Sequence, residues 1–171
     1  TTAVDRRQRL IADAVRSYDV SMHEPKSRPH ARALRKGRVS EPGRIYLTTF
    51  VTSNRRPVFS DFAQGRLLVG ELRAADLDGL SKTWCFCVMP DHCHWLLTLE
   101  GASLSGLIAR VKARSAKRIG SGPLWQAGFH DHALRAEEDL RALARYVVAN
   151  PLRAGLVTSL GDFPLWDAVW L

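Results

Sequence analysis

Two histidines one residue apart, His92 and His94, are the first side chains in this sequence whose types and spacing suggest chemistry. They stand at the head of an apolar run that reads as a β-strand. Alternation along a strand sends both imidazoles to one face, where they can converge on a single ion. Cys93, Trp95, Leu97 and Leu99 then line the opposite face and pack inward. An imidazole pair alone does not specify a metal. A second pair, His130 and His132, has the same spacing on another strand-like segment, so spacing leaves the two pairs tied. Tyr146 is a third candidate, with Asn150 four residues on, about one turn further along the same helix edge. That edge offers a phenol and an amide together and could face a histidine pair. It could equally pack at the core margin with a wet hydroxyl, Asn150 capping the helix before Pro151.

Other chemistries lack their residues. There is no Gly-rich phosphate loop, no Ser/His/Asp signature and no carboxylate pair at a helical repeat. Glu137, Glu138 and Asp139 fall in the first turn of the last helix, where they suit the helix dipole. Cys85, Cys87 and Cys93 are not at CxxC spacing and read as small core residues of a reducing, cytoplasmic protein. No apolar run approaches the roughly 20 residues that cross a bilayer. Thr1 to Val20 mixes Asp, Arg and Gln, unlike a signal peptide. Lys and Arg number 25 against 17 acids, a formal charge of +8. That balance favours a polyanionic partner, because each neutralised phosphate releases counterions.

The elements that must position these residues follow from the hydrophobic pattern. Lys26 to Arg44 is basic, poor in apolar residues and broken by Pro29, Gly37, Pro42 and Gly43. It reads as an arm that orders on nucleic acid, with a solvated linker as the alternative. Ile45–Val51 reads as a strand, Phe59–Leu77 as an amphipathic helix through Phe62, Leu67, Leu68 and Leu72. Trp84–Met89 and Cys93–Leu99 read as strands joined at a Pro90-Asp91 corner, hence a hairpin. Leu104–Ile119 is a helix carrying Arg110, Lys112, Arg114, Lys117 and Arg118 with no acid. Trp125–Leu134 reads as a strand. The last helix has Leu140, Leu143, Ala144, Val147 and Val148 on one face and stops at Pro151. The first six elements give an α+β, ferredoxin-like split βαβ arrangement with a mostly antiparallel sheet. The helix bearing Tyr146 is left over.

Taken together, three segments resemble one family. Val88-Met89-Pro90-Asp91-His92-Cys93-His94-Trp95-Leu96-Leu97 resembles the HUH motif of single-tyrosine transposases. Arg145-Tyr146-Val147-Val148-Ala149-Asn150-Pro151-Leu152-Arg153-Ala154-Gly155-Leu156-Val157 resembles their tyrosine helix. Gly37-Arg38-Val39-Ser40-Glu41-Pro42-Gly43-Arg44-Ile45-Tyr46 resembles the opening of the REP-associated branch. The resemblance spans residues 37–158, leaving a basic N-terminal extension over 1–36 and a tail over 159–171. It implies the HUH endonuclease fold, Tyr146 as nucleophile, and one Mg²⁺ or Mn²⁺ on His92 and His94, which breaks the tie between the pairs. Asn150 stands at the third ligand position, where an amide implies a weaker grip than a carboxylate. The central motif residue is Cys93 in place of a bulky apolar one.

The implied reaction is nicking and joining of single-stranded or hairpin DNA through a 5′-phosphotyrosine, by a monomer that completes its own site. Arg35, Lys36, Arg38, Arg44, Arg110, Lys112, Arg114, Lys117 and Arg118 are the expected backbone contacts, and Trp125 or Phe129 either packs in the core or stacks a base. Two alternatives stand beside this reading: a hairpin-binding module without catalysis, and a metal-dependent nuclease that uses water.

Overall fold

The computed structural model describes residues 40–101, 103–120, 122–136 and 138–169. The basic extension over 1–36, with Arg35, Lys36 and Arg38 of the arm, and the acidic Glu137 lie outside the described residues.

Strand β1 (Ile45–Val51) is dense in β-branched and aromatic residues and is almost wholly buried, as befits a strand with neighbours on both sides. Helix α1 (Phe62–Leu77) starts later than its periodicity predicts. Asp61 caps it by accepting from the backbone N–H groups of Ala63 and Gln64, while Val58–Ser60 forms a separate 3₁₀ turn. Its buried face is Leu68, Val69, Leu72 and Ala75, and Phe62 is left exposed. Strands β2 (Ser81–Met89) and β3 (His92–Leu99) form the expected hairpin, with Met89 opposite His92 and Cys87 opposite His94. Helix α2 (Leu104–Ile119) is capped by Ser103 and ends at Gly120, whose φ of 71° suits glycine.

The expected strand over Trp125–Leu134 is shorter: only β4 (His130–Ala133) forms. Before it, Gly128 takes a positive φ, and the carbonyls of Gln126 and Gly128 accept from Lys112 Nζ instead of continuing a strand ladder. Helix α3 (Leu140–Val148) is capped by Asp139. Pro151 does not end helical structure; it sits in the first turn of a short helix, α4 (Asn150–Arg153), where its missing N–H costs nothing.

The sheet runs β4-β1-β3-β2-β5 with every pairing antiparallel, so its first four strands have the ferredoxin-like order. The fifth, β5 (Trp166–Ala168), has no counterpart in the hydrophobic pattern: the expected tail instead adds a strand to the β2 edge. Its neighbour Leu165 presses on Gly65 of α1, where a larger residue would meet the leucine side chain. Two cores result. Phe50, Phe86, Val88, Cys93, Trp95, Leu97 and Leu99 pack beneath α1 and α2. Leu47, Cys85, Cys87, Met89 and Leu96 pack beneath α3 on the other face. The tyrosine helix is therefore the cover of the second sheet face. Among the described residues, no helix is long and apolar enough to cross a membrane.

Candidate active site

Strand alternation decides where the histidines point. Cys93, Trp95 and Leu97 belong to the α1/α2 core and Leu96 to the α3 core, so His92 and His94 emerge on the α3 face. Their Nε2 atoms lie 3.2 Å apart with the rings nearly perpendicular. Two nitrogens each about 2.1 Å from a shared ion stand about 3 Å apart when the angle at the ion is near 90–100°. The pair therefore fits one small divalent cation.

Each ring is held from behind. His92 Nδ1 donates to Asp91 Oδ1 at 2.5 Å, leaving its Nε2 with a lone pair. His94 Nδ1 lies 2.8 Å from the Thr49 hydroxyl, its cross-strand partner on β1. A hydroxyl can donate or accept, so His94 has two satisfied tautomers. In one, Thr49 donates to Nδ1 and His94 Nε2–H donates to His92. In the other, Thr49 accepts from Nδ1–H and both Nε2 lone pairs face outward for a metal. Moving between them requires no net loss of a proton.

Burial sets the charge state. Loss of hydration pushes the His94 pKa down to about 3, helped by the nearby His92 ring and the Arg153 guanidinium and opposed by Asp91. Burial likewise lowers His92, against the pull of Asp91. Burial raises Asp91, but its bonds to His92 and Arg55 outweigh that and leave it below the usual carboxylate value. The result is two neutral imidazoles beside a carboxylate anion, the state a cation requires. Asp91 is in turn fixed by Arg55 Nη1 at 3.0 Å and, through its carbonyl, by the Thr52 N–H at 2.9 Å. Asn54 and Arg55 take positive φ values of 54° and 50°, an uncommon conformation for residues with a Cβ.

Tyr146 belongs to the same face, in the core formed by Cys85, Cys87, Met89 and Leu96, and is only 4% exposed. Asn150 Nδ2 donates to the carbonyls of Val147 at 2.8 Å and Tyr146 at 3.3 Å, so the amide does cap α3. Its Oδ1 accepts from Arg153 at 2.7 Å and keeps a second lone pair. Among the described residues no group of three His, Cys, Asp or Glu converges to hold an ion. Asn150 Oδ1 is a donor of another type.

The remaining candidates are spread out. His130 is on the α3 face in the same cross-strand row as Thr49 and His94, but exposed on the edge strand. His132, on the same face, donates to Glu138. Trp125 is built into the first core: its ring meets Phe50 and Phe59, and its indole N–H donates to Ser115. On α2, Arg114 and Arg118 both bind the buried Glu71, Arg110 binds Asp78, and Lys112 binds the two loop carbonyls. Lys117 points from the exposed side of that helix, and Arg44 pairs with Glu41. Residue spacing carries no sign of Thr49, Asp91, Arg55 or Arg153. Of these, Asp91 adjoins the motif, and an acid directly preceding the first histidine of the pair is the signal that could have marked it.

No family model matches the chain. It is 33% identical over 133 residues to the REP-associated tyrosine transposase of Escherichia coli (strain K12), covering 74% of this chain and 81% of that protein. A Haemophilus influenzae protein named a putative member of the same family is 24% identical over 143 residues, 71% of this chain and 78% of that protein. Among solved structures, a REP-associated tyrosine transposase bound to a REP hairpin superposes with a TM-score of 0.66 at 25% identity. That match covers 75% of this chain and 79% of the other.

Proposed function

Because this chain belongs to the REP-associated tyrosine transposases and is therefore an enzyme, we propose that it cuts and rejoins hairpin DNA of the REP type through Tyr146. The hairpin in the related structure supports the substrate. The observation that carries the chemistry is the convergence of His92 and His94 Nε2 at 3.2 Å on the sheet face covered by the tyrosine helix.

His92, His94 and Asn150 are the residues that would hold a divalent ion. Mg²⁺ or Mn²⁺ held there would supply Lewis-acid charge to the scissile phosphate. Tyr146 Oη attacks the scissile phosphorus while the bond to the upstream 3′ oxygen breaks. The phenolic proton is lost and the 3′ oxygen gains one. The products are a 5′-phosphotyrosine and a free 3′-OH. One phosphodiester replaces another, so a 3′-OH can reverse the step and join a new strand without an external energy source.

The test is incubation with an end-labelled single-stranded hairpin and Mn²⁺, followed by denaturing electrophoresis. The expected result is a protein–DNA adduct that survives denaturant and disappears in Tyr146→Phe. Cleavage without an adduct would instead mark a water-using nuclease, and binding without cleavage a hairpin-binding module. An adduct persisting in Tyr146→Phe would remove Tyr146 as the nucleophile.

A further inference from the structure

Arg153 belongs to neither the histidine pair nor the tyrosine, yet it touches both Tyr146 and Asn150. It closes α4, the helical turn placed by Pro151, and its guanidinium returns over the end of α3. Nη1 donates to the Tyr146 carbonyl at 3.0 Å and Nη2 to Asn150 Oδ1 at 2.7 Å. The guanidinium carbon lies 3.7 Å from the centroid of the Tyr146 ring. One planar group thus stacks on the phenol with its face and binds two oxygens with its edge. The Asn150 amide is consequently fixed at both ends, nitrogen on the α3 carbonyls and oxygen on the guanidinium. The charge of Arg153 is also felt at His94 and Cys87, where it lowers both pKa values.

We propose that Arg153 is a positioning residue that sets the Tyr146 ring and the Asn150 oxygen for strand transfer. The inference rests on the reading of Tyr146 as nucleophile. A phenol attached by flexible torsions must present its oxygen in line with the departing 3′ oxygen, and a misplacement of about 1 Å can cost about a hundredfold in rate. Stacking by Arg153 restricts the ring, and the bond to Oδ1 holds the amide in one orientation. Lysine cannot substitute: an ammonium has the charge but not the flat face or the two-pronged edge.

The experiment uses the full chain with Arg153→Ala and Arg153→Lys. Hairpin affinity is measured without metal, and the single-turnover rate of adduct formation at saturating hairpin across a Mn²⁺ titration. Both variants should bind the hairpin within about twofold of wild type while forming the Tyr146 adduct about 30–100-fold more slowly. Half-saturating Mn²⁺ should rise about tenfold, and Arg153→Lys should recover little of the rate. A rate within threefold of wild type in Arg153→Ala overturns the proposal, as does full rescue by lysine. Loss of hairpin affinity in proportion to the rate also overturns it, assigning Arg153 to DNA binding. If Arg153→Ala does not fold, Arg153→Lys and Arg153→Gln are judged by the same criteria. A wild-type chain that makes no Tyr146 adduct overturns both readings, whereas a normal adduct in the variants overturns only this one.

Discussion

At His94, burial keeps the ring neutral, and the proposed metal ligation needs that same state. Unfolded, its imidazole takes up a proton near pH 6.5; folded, it does so only near pH 3. Between those values the unfolded chain binds the extra proton, so stability falls as the pH drops through that window and is unaffected above it. The slope from this one group is at most about 1.4 kcal/mol per pH unit. The metal-free protein should therefore melt progressively lower from pH 6.5 to 5, and His94→Gln should flatten the dependence. An equal slope in the variant would put the acid sensitivity elsewhere. Thr49 is the other half of this arrangement. Replacing it by valine keeps the shape but leaves Nδ1 without its hydroxyl, so the ring loses the partner that fixes its tautomer. Mn²⁺ affinity, measured by calorimetry without DNA, should weaken by about tenfold. Unchanged affinity would show that Thr49 does not orient the ligand. The histidine pair is legible in the sequence because period-two spacing is local. Thr49 is not, because it is 45 residues from His94 and only the β1–β3 register brings them together.

Among the elements, α2 separates what sequence can show from what it cannot. Its boundaries at Leu104 and Ile119 match the hydrophobic periodicity, and the basic residues with no acid among them suggest a DNA-facing surface. The acid that answers them is on another helix: Glu71 of α1, with a side chain 1% exposed, binds both Arg114 and Arg118. Burial raises its carboxyl pKa, yet the two guanidiniums outweigh this and hold it below the ordinary value. The two sides of this triad are unequal. Glu71→Gln frees two half-exposed arginines to water and should cost about 1–3 kcal/mol. Replacing Arg114 and Arg118 together by alanine strands a buried carboxylate and should cost about 3–5 kcal/mol. Urea denaturation of the three proteins checks the order, and an arginine pair that costs less than Glu71→Gln would contradict it. A similar limit applies to Trp125–Leu134, where Lys112 takes the carbonyls a strand would need. At β5, three residues just after Pro164 are too short a run to signal a strand until the open β2 edge is there to pair with them.

For the whole molecule, the distribution of charge matters more than its sum. Residues 1–39 hold ten Lys and Arg against four acids, while the remaining chain holds fifteen against thirteen. Most of the +8 therefore lies ahead of the sheet, and several cations of α2 are engaged with Glu71, Asp78 and loop carbonyls. If hairpin affinity comes from counterion release, its salt dependence should track the segment where the unbalanced charge is. Removing one cation that neutralises a phosphate lowers the slope of log affinity against log salt by about 0.7–0.9. Changing Lys26, Arg28, Arg32, Arg35, Lys36 and Arg38 to glutamine in the full chain should reduce that slope by about 2 or more. The Tyr146 adduct rate at saturating hairpin should hold, because the residues assigned to the chemistry are elsewhere in the chain. Hairpin binding measured over a KCl series from about 50 to 300 mM provides the slope. An unchanged slope would move the electrostatic grip onto residues 40–169, and Lys117 and the arginines of α2 would become the next residues to neutralise.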